Sequence, residues 1–277
     1  GYRVVIANSH VEASKSASAR DLFNSRIAGY NLGLVFFKER APEIADRIEH
    51  LRDIRPQALG LKTSDLYRLL LNVPEEITKQ ELYDELGDKH IDLLDRNFAN
   101  HREQEIYHLR GVLLFGIAEC ARAHRCIEVL RQGKVEEFGR LMNISHDGDR
   151  VVARATNGDY RPQKSGCSDA DLYRLLADLA SEDPVRVEAA QLINQPGFYA
   201  CNTPEIDLMA DLAKEVDGVA GAQIAGAGLG GCLMILARRE AVPEIRKRLN
   251  DHYYEPRQLP LSVFECSAVE GAGLAEF

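Results

Sequence analysis

The residues best placed to do chemistry are glycines. Gly226-Ala-Gly228-Leu-Gly230-Gly231 satisfies the G-x-G-x-x-G spacing that brings backbone close to a dinucleotide pyrophosphate. That use needs a strand before the loop and a helix after it, so that the helix N-terminus faces the phosphates. Here the apolar run Cys232 to Ala237 follows the glycines directly and reads as a strand, with Ala222 to Ala225 a short strand able to pair with it. The spacing therefore predicts a tight hairpin with glycines at positive φ rather than a nicotinamide or flavin site. No G-x-x-x-x-G-K-S/T run occurs, which excludes a Walker-type ATPase from this chain.

Other reactive types are scattered. Ser145-His146 and Asp147-Gly-Asp149 suggest metal or acid–base chemistry, but His146 at a helix end reads as a capping or packing residue. Asp147 and Asp149 read as a solvated turn. Glu205 and Asp207 fall in the first turn of a helix, where carboxylates meet the positive end of its dipole. The six cysteines form no C-x-x-C pair, and several lie in apolar runs. They read as reduced, mostly buried thiols of a cytoplasmic protein rather than a zinc site.

These groups need a scaffold, and composition allows one. The chain has 277 residues, 45% hydrophobic and 28% charged, enough to bury a core. Its net charge of −9 argues against a nucleic-acid partner, and no run of 18 apolar residues marks a membrane span. Phosphate recognition is local, so an acidic protein can still bind ATP.

The chain opens inside a β-branched run, YRVVIAN, that reads as a strand buried on both faces. Helical periodicity follows from about Leu22 to Lys38, Ala41 to Ile54, Thr63 to Asn72 and Thr78 to Leu86. A long periodic stretch from Asp92 to Gly133 should contain a break, and Val135 to Ser145 should be another helix. Residues 148–168 are polar, contain Gly and Pro, and read as a loop. Helices are expected at Leu172 to Ala180, at Pro204 to Val216 behind an Asn202-Thr203 cap, and at Val242 to Tyr254. LSVFEC reads as a last strand. This order suits an α+β layer with an antiparallel sheet, flanked by a helical subdomain. Asp65-Leu-Tyr-Arg-Leu-Leu recurs at Asp171, but the flanks do not match.

Four blocks in this order carry a family resemblance. GAQIAGAGLGGCLMILA resembles the third signature of the GHMP kinases, galactokinases above all; Gln223, Ala225 and Leu229 stand where a basic residue, Thr and an aromatic are usual. Phe138 to His146 resembles the F-G-x-L-M-x-x-S-H block, and Asn202 to Asp207 the S-C/T-P-E-L/I-D block. Near the start, Ala7-Asn8-Ser9, Lys15 and Phe23-Asn24-Ser25-Arg26 resemble a segment of galactokinases and N-acetylgalactosamine kinases.

The resemblance implies a ferredoxin-like C-terminal domain over 2–277, with the phosphate loop and catalytic Asp in a preceding half that this chain lacks. It implies ATP and Mg2+ as cofactors, bound mainly by that half, and a sugar as substrate. Gly226, Gly228, Gly230 and Gly231 would then wall the active site, Lys15 would reach the phosphates, and Phe23 would face the sugar in place of a tyrosine. The whole protein would phosphorylate the anomeric hydroxyl of a hexose, and this part alone would be inactive. A non-catalytic galactose and ATP sensor, or an interaction module, would use the same fold.

Overall fold

The structure, a computed structural model, describes residues 1–12 and 17–267. Strand β1 (Tyr2–Asn8) precedes a long helix α1 (Ala17–Glu39), and two short helices follow, α2 (Pro42–Ala45) and α3 (Pro56–Leu59). Then come α4 (Thr63–Leu70), α5 (Lys79–Phe98), α6 (Leu109–Arg131) and α7 (Val135–Asp149). A small hairpin of β2 (Val152–Arg154) and β3 (Tyr160–Pro162) leads to α8 (Asp169–Leu179), α9 (Pro184–Ala189) and α10 (Pro204–Lys214). Strands β4 (Val219–Ala225) and β5 (Cys232–Arg238) flank the glycines, and α11 (Val242–Leu249) and β6 (Val263–Cys266) complete the order.

The main sheet has four strands in the order β4-β5-β1-β6, every pair antiparallel. Numbered in chain order, its strands run 2-3-1-4, the arrangement of a βαββαβ ferredoxin-like layer. Helices α10 and α11 cover one face, where Val5, Ala7, Ile224, Leu233 and Ile235 meet Ile206, Met209, Ile245 and Leu249. On β1 only Val5 and Ala7 are buried, while Val4 and Ile6 are half-buried. The expectation of a strand buried on both faces is corrected: β1 alternates, because helices cover one face only around it, and Phe264 on β6 is exposed.

β4 lies at the sheet edge and α7 closes it. Asn143 accepts from the Ala222 amide at 2.9 Å, giving an edge donor the partner a further strand would have supplied. The approach is close enough that a Cβ on Gly139 would stand 2.3 Å from the Ala220 carbonyl oxygen.

A second core is helical. Leu32, Phe36 and Phe37 of α1 pack with Leu66, Tyr67 and Leu70 of α4, Leu82 and Leu86 of α5, and Leu113 and Ile117 of α6. The predicted break in the long periodic stretch lies between Phe98 and Leu109. Thr78 and Glu81 form a reciprocal capping box at the start of α5, which kinks at His90, between the expected end near Leu86 and the periodic stretch from Asp92, and runs on to Phe98. Several boundaries move. Ala41 to Ile54 is only a short helix and a 3-10 turn, residues 148–168 hold the β2–β3 hairpin, and α11 gives way at Asn250 to a π turn. Two cysteines are buried, Cys167 and Cys201; three are half-buried and Cys266 is exposed, so the thiols are less buried than their apolar neighbours suggest.

Candidate functional site

The loop between β4 and β5 is a hairpin, as its glycines predict. Gly226, Gly228, Gly230 and Gly231 all have positive φ, and so does Leu229 between them. The two ends of the loop have different surroundings. A Cβ on Gly226 would meet nothing within 4 Å, and Gly226 and Ala227 are exposed. A Cβ on Gly228 would stand 1.9 Å from the Cys201 carbonyl oxygen, which also accepts from the Leu229 amide at 2.7 Å. One end is open to a ligand, and the other is bolted to the chain's own backbone.

The far side of the loop is tied to the exit of β1. Gly231 accepts from the Ser9 amide and hydroxyl at 2.9 and 2.7 Å, and its own amide donates to Val11. Tyr253 and Tyr254, on the π turn, donate to the Ser9 and Asn8 carbonyls. The segment that leaves β1 toward Lys15 is therefore held beside the glycines. Lys15 itself lies outside the described residues.

Phe23, on α1, joins a small apolar cluster with Val112, Phe115, Tyr199, Cys201 and Leu229 of the glycine loop. The structure thus brings Phe23 and the loop into one patch. Arg26 lies one turn further along α1, and its type and place in the Phe23-Asn24-Ser25-Arg26 block do not by themselves assign it a role. Its Nε is buried without a hydrogen-bond partner, and its Nη2 reaches only the Ala200 carbonyl, at 3.5 Å. Among the described residues no carboxylate pairs with it, and burial holds its pKa below the ordinary arginine value. Its spacing from Phe23 was the available signal.

The strap 197–202 joins these parts. Tyr199 and Ala200 donate to the Gly148 carbonyl at the end of α7, and Asn202 donates to Asp149. Gly197 and Ala200 have positive φ, which lets the strap turn tightly there. The expectation that Asp147 and Asp149 form a solvated turn is corrected. Both belong to α7; Asp147 pairs with Arg150, and the half-buried carboxyl of Asp149 is pushed up to about 8 by burial, with Glu119 and Asp207 reinforcing the shift.

His146 and Asp207 form a polar knot at the base of the strap. Both side chains are fully buried, with His146 Nε2 3.4 Å from Asp207 Oδ1. Burial pushes His146 down to about 3, so the ring is neutral and the contact is no ion pair at neutral pH. Asp207 accepts from the Val151 and Val152 amides, both at 3.0 Å, and from Asn202 at 2.7 Å. Beyond favouring its own helix, Asp207 anchors two other segments.

Residues 175–255, from α8 to just past α11, match the family model described as GHMP kinases C terminal. The galactokinase of Mannheimia succiniciproducens is 36% identical over 159 residues, covering 57% of this chain and 29% of that protein. The galactokinase of Roseiflexus sp. is 24% identical over 182 residues, 66% of this chain and 35% of that protein. The fold matches the crystal structure of Lactococcus lactis galactokinase complexed with galactose, at a TM-score of 0.51 and 20% identity, over 95% of this chain and 44% of that one. The chain spans about a third of the curated relatives it matches. Over residues 175–255 the chain resembles the C-terminal region of the GHMP kinases, and in sequence and fold it is similar to part of a galactokinase.

Proposed function

We propose that this chain is one wall of the active-site cleft of an ATP-dependent sugar kinase, acting on the anomeric hydroxyl of a hexose. The observation that carries the reading is the divided glycine loop: Gly228 is locked to Cys201, and Gly226 presents bare backbone with open space above it. A second backbone, or a phosphate, can approach such a position closely. Phosphoryl transfer rests on positioning and on charge neutralisation. In this reading the phosphate loop, the catalytic Asp and most contacts to ATP and Mg2+ come from a preceding half that packs against this one.

Lys15 and Arg26 would supply positive charge toward the phosphates, and Phe23 an apolar face toward the sugar. In this reading the catalytic base comes from the preceding half, so the chain by itself would not transfer phosphate.

The test is ADP formation by the protein extended with its upstream coding sequence, supplied with Mg-ATP and galactose, N-acetylgalactosamine or arabinose in turn. Sugar-dependent ADP release by the extended protein, and none by residues 1–277 alone, is expected. An extended protein that binds sugar and ATP yet releases no ADP would replace the kinase with a sensor. One that binds neither would leave an interaction module.

A further inference from the structure

A groove of about 400 Å3 lies in the helical part of the chain, between the turn that enters α3, the outer face of α6 and the 3-10 turn Leu192–Asn194. That size falls within the range for small-molecule sites. Among the described residues, none that lines it belongs to the glycine loop, the strap or the Phe23 cluster.

The floor is apolar. Ile54, Pro56 and Leu192 are buried there, with Ala121 and Ile193 half-buried beside them. Ile54 and Leu192 belong to the helical core, so the floor is held in place from below. An apolar body laid along it removes the remaining apolar surface from water, which is favourable.

The charge of the rim narrows the ligand. Arg125 donates to Glu128 at 3.0 Å and to Glu137 at 3.1 and 2.6 Å, and Lys134 stands 4.0 Å from Glu137. There the cations balance the carboxylates. Arg55 and His124 line two different walls and are exposed. Among the described residues, neither side chain has a hydrogen bond or an ion pair, and the Thr63 hydroxyl has no partner either. The fixed charge left unbalanced on the lining is therefore the Arg55 guanidinium. Its planar fork matches a carboxylate, which it binds through two parallel hydrogen bonds. A neutral alcohol would forgo that charge, and an amine would meet a like one.

We infer that this groove is a binding site for a small aliphatic monocarboxylate, its chain along the floor of Ile54 and Leu192 and its carboxylate on Arg55. The site lies wholly within this chain. It goes beyond the proposed kinase reading and does not depend on it.

The experiment is saturation-transfer NMR titration of the chain with octanoate, with octanol and octylamine as neutral and cationic probes of the same length. Octanoate is expected to bind, and Arg55→Glu and His124→Trp each to weaken it at least about tenfold, the first by reversing the charge and the second by filling the groove. Both positions are exposed, so both variants should fold. Should either unfold, the milder Arg55→Gln carries the test, again with at least about a tenfold loss. The inference falls if octanoate does not bind, if folded variants bind it unchanged, or if octanol or octylamine binds as tightly as octanoate does.

Discussion

Replacing Gly228 by valine is expected to lower the chain's stability by more than about 3 kcal/mol, whereas Gly226→Ala should cost only about 1–2 kcal/mol. Both positions have positive φ, 98° and 101°, so both substitutions pay similar backbone strain. They differ in what the new Cβ meets. At Gly228 it would stand 1.9 Å from the Cys201 carbonyl oxygen, and that oxygen is fixed by the Leu229 amide. Either the hairpin or the strap must move, and the strap also ends α7. At Gly226 the added carbon enters open space. Urea denaturation of the two variants beside the parent measures the contrast; equal losses would show that the loop is uniformly packed or uniformly free.

Asp207→Ala should destabilise the chain by about 3 kcal/mol or more, and Asp207→Asn by about a third of that. Alanine leaves the Val151 and Val152 amides and the Asn202 amide buried without their acceptor. Asparagine keeps an oxygen for the two backbone amides, and Asn202, whose Oδ1 has no partner, can turn to accept from the new amide. The pair also sets a pH dependence. Burial raises the Asp207 carboxyl from 3.8 to about 6 in the folded chain, so this group adds stability as pH falls from 6 toward 4 and withdraws it as pH rises. His146, lowered to about 3, acts in the opposite sense: it favours the fold above pH 6.5 and loses that contribution as pH falls toward 3. In the parent the two largely offset between pH 6 and 4. In Asp207→Asn the histidine acts alone, so the variant should lose stability relative to the parent by up to about 1.4 kcal/mol for each unit of acidification in that window. Parallel curves of stability against pH would refute the assignment.

The hairpin was legible because its signals are local. The apolar run after the glycines cannot be a Rossmann helix, and alternation with a Gly-rich turn leaves few alternatives. The α+β layer followed from element order, and the four family blocks placed the ferredoxin-like sheet. Asp149 was misread because Asp-Gly-Asp is turn-like in isolation. Helix α7 continues through it because the strap caps the Gly148 and Asp149 carbonyls, a contact over 50 residues away in sequence. The single-sided cover of β1 was hidden for a similar reason. Val4 and Ile6 are as apolar as Val5, and only the placement of α10 and α11 decides which face is buried. Periodicity started a helix at Thr78, and the Thr78–Glu81 box closes its first turn there. The groove beside α6 had no signature at all, since Ile54, Arg55, His124 and Leu192 meet only in the folded chain.

The role of the loop's open end is tested most directly by steady-state kinetics of Gly226→Val in the extended protein, with Mg-ATP and the best sugar. If Gly226 borders the transferred phosphate, kcat/KM should fall at least about 100-fold, because a side chain then occupies ground needed by the phosphate or the facing backbone. The thermal midpoint should shift only as far as the strain of a side chain at positive φ requires. Undiminished kcat/KM in a folded Gly226→Val protein would contradict that reading and leave the glycines a hairpin turn and nothing more.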